Sequence, residues 1–297
     1  MRIPNSVIHS NLLEQIQSLR TRQVQLQERI ITGQNINDIS DDPAATERVF
    51  RNQTEKRNII QFRRNQERVS DVSRASYAQV ERMQEIAARG QEITLLGGSI
   101  LNDDYFLPYA REVDQLVEEM SERANYNYLG AHTFAGTATD TAPFTVTRDA
   151  DGIITAVTYA GNTDTAEVNI SENTTLSGHL DPNRNSDIED LFSDLIALRD
   201  ALDANDATAV TNLSADFVDH ENKMVEALGM LSSVDARIQN AKRFDDFAFL
   251  RADERISNDV DADLASAITE YTQADTAYQA SLSTGADLLK RSLFDFI

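Results

Sequence analysis

Between residues 7 and 31 apolar positions recur at alternating spacings of four and three, at Leu12, Ile16, Leu19, Leu26 and Ile30, with Gln23 in the polar slot. That pattern predicts a helix with a coiled-coil seam and one polar layer. It stops at Gly33, a residue suited to a helix C′ position, and the loop GQNINDISD follows. Asp42 and Pro43 then read as the N-cap and first residue of a second helix. This helix carries Phe62, Val69, Val72, Val80, Met83 and Ile86 to about Leu96 before the stop at Gly97 and Gly98. At 1.5 Å per residue it spans roughly 80 Å, a length that suits a rod better than a globule. A shorter helix over residues 103 to 128 puts Tyr109, Val113, Leu116 and Met120 on one face.

The periodicity changes between residues 133 and 180, where Thr, Gly, Asp and β-branched residues dominate. FTVTR and IITAVTY flank the turn DADG, and a further short run lies in AEVNI, so a small β-hairpin domain is expected over residues 133–182. Helical spacing returns at about Asp187, runs through a long segment of roughly residues 206 to 256, and ends in a carboxy-terminal helix. There Leu264, Ile268, Tyr271, Tyr278, Leu282 and Leu289 again alternate four and three, with Asp275 and Gly285 in seam slots.

The fold expected is therefore mainly α with a small β insertion: a long antiparallel helical rod, coiled-coil terminal helices and an outer β-hairpin domain. Residues 1–40 and 258–297 would form the terminal-helix layer, and residues 41–132 and 183–257 the rod. Both terminal helices have matching length and period, as expected if the first and last helices pair. Their few aliphatic seam residues supply too little burial to offset the entropy of ordering both segments. Further burial is expected from neighbouring subunits, so the eleven apolar seam residues named in the two helices are candidate subunit contacts. Gln23 and Asp275 are candidate register-setting positions.

Charge narrows the choice of partner. The 297 residues carry a formal net charge of -22, yet residues 1 to 100 hold 14 Lys+Arg against 12 Asp+Glu, leaving 13 against 37 beyond. Nucleic acid is an unsuitable partner for such a surface, because phosphate binding needs a basic face. Arg57, Arg64 and Arg68 make the best basic stripe, and with Glu55 and Glu67 beside them they read as a solvated helix face. The opening MRIPNSVIHSNLLEQIQ lacks the apolar core of a secretory signal, and no stretch approaches the roughly 18 apolar residues of a membrane span.

Catalytic chemistry finds little support. With no cysteine in the chain, thiolate catalysis, disulfides and Cys-based zinc sites are excluded. The four histidines are not spaced for a metal; in HENKM the position four residues after His220 is Met224, so His220 reads as a solvated His–Glu pair on a helix. The Gly97-Gly98 pair lacks the strand and Lys of a phosphate cradle. No catalytic residue, metal or cofactor is expected.

MRIPNSV, ERIITGQNINDISDDPAAT, NYLGAHTFAGTATDTAPF and AYQASLSTGADLLKRSLFDFI together resemble segments of the flagellin-like axial proteins of bacterial flagella, and more narrowly the junction proteins among them. Asp41 to Pro43 and Phe134 to Phe144 favour a junction protein over a small flagellin. The resemblance implies export through the flagellar type III apparatus with an export chaperone, and a self-assembled ring between a preceding hook-associated junction protein and flagellin. Such a subunit would be structural, extracellular and not an enzyme.

Overall fold

The computed structural model describes the backbone of residues 5–98 and 106–294, with side chains placed for residues 10–97 and 106–287. Among the described residues α-helices and short strands follow in the order α1 (Asn5–Thr32), α2 (Pro43–Gly98), α3 (Phe106–Ala124), β1 (Asn127–Tyr128), β2 (Ala131–His132), β3 (Phe144–Arg148), β4 (Ile154–Tyr159), β5 (Val168–Ser171), β6 (Thr174–Leu176), α4 (Asn185–Asp203), α5 (Ala207–Asn212), α6 (Ser214–Val260) and α7 (Leu264–Phe294). The chain is mainly helical with a small antiparallel β part. It divides into two compact units, one of residues 1–58 and 247–297 and the other of residues 59–246.

In the first unit the helix ends follow the sequence closely. Gly33 takes φ +69° and its N–H closes on the Arg29 carbonyl at 2.9 Å, ending α1 in the left-handed C′ conformation that glycine adopts without strain. Asp42 Oδ1 accepts from the N–H groups of Ala44 and Ala45 and so caps α2 ahead of Pro43. The two inter-helix turns are bonded together: Asn35 N–H donates to the Val260 carbonyl at 2.7 Å and Ala262 N–H to the Gly33 carbonyl at 2.9 Å. Antiparallel α2 and α6 are tied here by Arg48 with Asp259 at 2.6 Å and by Arg255 with Glu55 at 3.5 Å. These exposed pairs fix register more than they add stability.

The second unit holds the large apolar core. Met83, Ile93, Val113, Met120, Phe134, Phe144, Ile154, Leu191, Phe192, Leu195 and Phe217 are fully buried in one cluster drawn from α2, α3, the hairpins, α4 and α6. Strands β3 and β4 pair Phe144 with Tyr159 and Val146 with Val157, with a bulge between Thr147 and Arg148. The hairpin lies on the helices through Phe144, whose ring centroid is 5.8 Å from that of Phe192. A smaller cluster joins Val69, Ile238, Ile170 and Leu176, packing β5 and β6 against α2 and α6.

Two expectations need correction. The helix predicted over residues 103 to 128 ends at Ala124, because Asn127 and Tyr128 turn through Leu129 and Gly130, both at positive φ, and pair with Ala131 and His132. Residues 103 to 105 lie outside the described residues. His220 is buried, not solvated: Phe217, His220, Met224 and Ala227 share the inward face of α6, and the imidazole Nε2–H donates to Asp194 at 2.6 Å.

Candidate assembly interface

Helices α1 and α7 run antiparallel against each other within the first unit, and their contact is the structure's main departure from a simple apolar seam. On α1 the expected line is the one used: Leu12, Ile16, Leu19 and Ile30 are half-buried, while Gln23 and Leu26 are buried. On α7 the facing line is Ala267, Tyr271, Ala274, Tyr278, Ser281 and Gly285, again at spacings of four and three. Tyr271, Tyr278 and Gly285 were expected in that seam; Leu264, Ile268 and Leu282 were too, but they lie at its edge and are 44–52% exposed. Small side chains displace them for a steric reason. A Cβ on Gly285 would stand 3.0 Å from Leu12 Cδ2, so alanine there needs only the Leu12 tip to shift, whereas a longer side chain would crowd the seam. The side chain of Leu289 lies outside the described residues.

A polar layer crosses the seam at its middle. Gln23 Nε2 donates to Asp275 Oδ1 at 2.9 Å and reaches within 3.5 Å of the Tyr271 hydroxyl, while Arg20 Nη1 donates to Gln23 Oε1 at 3.2 Å. Gln279 Nε2 donates to the other Asp275 oxygen at 2.8 Å, and the Arg20 guanidinium lies 5.9 Å from the Tyr278 ring centroid. The two polar positions singled out from sequence are therefore bonded to each other. Sequence reasoning missed Arg20 and Gln279, which support the layer, and the small residues Ala267, Ala274 and Ser281, which carry no apolar signal strong enough to mark a seam.

Outside that seam each helix keeps a second apolar stripe. Leu13, Val24 and Ile31 on α1 are 49–75% exposed, and their spacings of eleven and seven residues put them on one face, within about 40° of one another. Leu264, Ile268 and Leu282 make the corresponding stripe on α7. Neither apolar cluster of the second unit includes any of these residues. These exposed apolar side chains share one face of each helix but are spaced along it, so they offer separate contact points and not a continuous patch.

Among the described residues no group of three His, Asp or Glu side chains is arranged to hold a metal ion. His132 and His179 each bond a backbone carbonyl through Nδ1, at 2.8 and 3.0 Å, which gives them structural roles in the hairpin region. No described helix is long and apolar enough to cross a membrane.

Comparison with known proteins shows what a chain with such terminal helices is similar to. Flagellar hook-associated protein 3 of Salmonella typhimurium is 23% identical over 321 aligned positions, which cover 99% of this chain and 99% of that one. The chain is similar to flagellar hook-associated protein 3 along nearly the whole of both sequences. No family model matches it. Its fold is shared with a Vibrio parahaemolyticus protein assigned as flagellar hook-associated (TM-score 0.65, 18% identity, 74% of this chain and 100% of that one). Bacillus cereus FlgL is also similar, with TM-score 0.59 and 14% identity over 70% of this chain and 99% of that one. The resemblance drawn from the terminal motifs thus extends along the whole sequence and to the fold.

Proposed function

We propose that this chain is a structural subunit of the bacterial flagellum that forms the adaptor ring between a hook-side junction protein and the flagellin filament. The observation that carries this reading is the end-to-end relationship to hook-associated protein 3, together with apolar stripes on both terminal helices that the chain's own seam leaves open. Leu12, Ile16, Leu19, Leu26, Ile30, Tyr271 and Tyr278 then act as contacts partly shared between the molecule and its neighbours, and Leu264, Ile268 and Leu282 as contacts made wholly with neighbours. Residues 1–40 and 258–297 constitute the assembling layer. Copies of the chain pair laterally in the ring, while the preceding junction protein and flagellin dock axially. Export through the flagellar type III apparatus with a chaperone accounts for a chain without cysteine that reaches the cell surface. The work done is mechanical joining, without catalysis.

The alternative of a small flagellin is not favoured by similarity to flagellar hook-associated protein 3 and to FlgL. A reconstitution separates the two. Purified chain is added to isolated hooks already carrying the preceding junction protein, followed by flagellin monomer. Filament growth that requires this chain supports the adaptor, whereas long filaments grown from this chain alone would overturn it in favour of a flagellin.

A further inference from the structure

The α1 seam, taken alone, specifies a different partner from the one it has. Ile16, Gln23 and Ile30 occupy heptad a positions and Leu12, Leu19 and Leu26 occupy d positions. Branched Ile at a with Leu at d favours two identical parallel helices, so this face encodes self-pairing between copies of the chain. The α7 face that covers it instead offers Ala and Ser at d and Tyr, Tyr and Gly at a. Apolar burial alone gives that smaller surface no advantage over a second Leu–Ile face. The repeat is also degenerate in register, since Leu12, Leu19 and Leu26 are interchangeable under a slip of seven residues, as are Ala267 with Ala274 and Tyr271 with Tyr278.

We infer that the polar layer of Gln23 and Asp275 is the specificity determinant that makes α1 choose α7 of its own chain over α1 of a second copy. Paired with α7, the buried Gln23 amide has an acceptor in Asp275 at 2.9 Å and a donor in Arg20 at 3.2 Å, and Asp275 accepts further from Gln279. Paired with another α1, Gln23 meets an identical amide, a neutral bond in place of the stronger charge-assisted one to Asp275, and each Arg20 loses Tyr278. A slip of seven residues sets the carboxylate against Ile16 or Ile30 and the amide beside Ile268 or Leu282; Arg20 and Gln279 stay with their own helices, but the buried Gln23 Nε2–H loses its Asp275 acceptor. Groups buried without partners are penalised heavily, so one layer outweighs a repeat that is otherwise indifferent. The hydrogen bonds joining the two inter-helix turns hold the pair at one end, and the layer acts further along it.

The natural absence of cysteine allows a direct test in the full chain. Leu19→Cys places a thiol at a d position, where parallel homodimers oxidise readily to a disulfide-linked dimer. With Gln23 and Asp275 in place, the Leu19→Cys chain is expected to stay monomeric under mild oxidation at any concentration where the second unit remains folded. Adding Gln23→Ile completes the Leu–Ile repeat and strands Asp275, and covalent dimer is expected to rise steeply with concentration. A third variant, Leu19→Cys with Gln23→Ile and Asp275→Leu, removes the stranded carboxylate and is expected to return part of the population to monomer. Unchanged monomer in the Gln23→Ile variant, or equal cross-linking by Leu19→Cys alone, overturns the inference. Circular dichroism and the unfolding midpoint of the second unit confirm that a negative result does not come from misfolding. None of these outcomes depends on the flagellar assignment, whose own test is filament growth from hooks.

Discussion

The two units use similar side chains to opposite ends. In the second, Phe144, Phe192, Leu191, Leu195 and Phe217 are fully enclosed, and the buried Arg199 guanidinium donates to the Ile154 carbonyl at 2.6 Å and pairs with Asp200 at 2.7 Å. In the first, α1 meets Ala, Ser and Gly on α7, and among the described residues the larger Leu and Ile side chains of both helices, Leu26 apart, remain at least partly open. One region is finished by its own sequence. The other has the composition of a core and the exposure of an interface, which is what a subunit needs if its last contacts are made with other copies.

That contrast can be broken most strongly in the enclosed core. Phe192→Ala should destabilise the second unit by about 3–5 kcal/mol, read as a lower urea midpoint, because the surrounding helices cannot collapse onto the space left behind. Matched glycine substitutions sharpen the comparison. A Cβ at Gly90 would stand 2.4 Å from the Phe217 ring, which is fully buried, so Gly90→Ala should cost about 1–3 kcal/mol through overpacking. At Gly285 the obstacle is the end of a half-buried Leu12 side chain that can rotate away, and alanine is the better helix former by about 1 kcal/mol, so Gly285→Ala should be close to neutral on thermal unfolding.

A smaller effect follows from Asp245, which is buried beside Gln66 and receives its Nε2–H at 2.6 Å. Burial pushes this carboxyl above the ordinary aspartate range, with Gln66 and Arg63 opposing the shift. A carboxyl whose folded pKa exceeds its unfolded value favours the folded state while protonated. That contribution is present below the unfolded value and is lost as pH rises through the folded one. Asp245→Asn, which keeps an acceptor for Gln66, should therefore raise the melting temperature at neutral pH, with the advantage over the natural chain shrinking as pH falls through the raised folded value and gone below about 4. The smallest effect on unfolding belongs to Leu282→Asp, within about 0.5 kcal/mol because the side chain is already open to solvent, while incorporation into filaments should be lost. Normal motility in cells carrying that variant would remove the terminal stripe from the assembly surface.

Legibility in the sequence followed side-chain size. The α1 seam could be read because Leu and Ile at fixed spacing announce a buried face, and Gly33, Asp42 and Pro43 announced the helix ends because their backbone chemistry leaves few alternatives. The α7 seam could be read only in part: Tyr271, Tyr278 and Gly285 fall on it, but a reading weighted by hydrophobicity selects Leu264, Ile268 and Leu282 over Ala267, Ala274 and Ser281. Close approach, which makes small residues the right choice, is visible only once the partner helix is in place. His220 was misread for a related reason. Its neighbours in sequence are Asp219 and Glu221, whereas the partner that lets it be buried, Asp194, comes from another helix. The turn at Leu129 was hidden because a branched side chain at φ +53° runs against local preference.

Amide hydrogen exchange across α1 and α7, compared between dilute monomer and assembled protein, probes the open interface most directly. Protection in α1 and α7 of the monomer should fall well below that of α3 and α4 and rise by orders of magnitude on assembly. Terminal helices as strongly protected in dilute solution as α3 and α4, with no gain on assembly, would mean that the chain completes its own seam and that its apolar stripes have no partner to wait for.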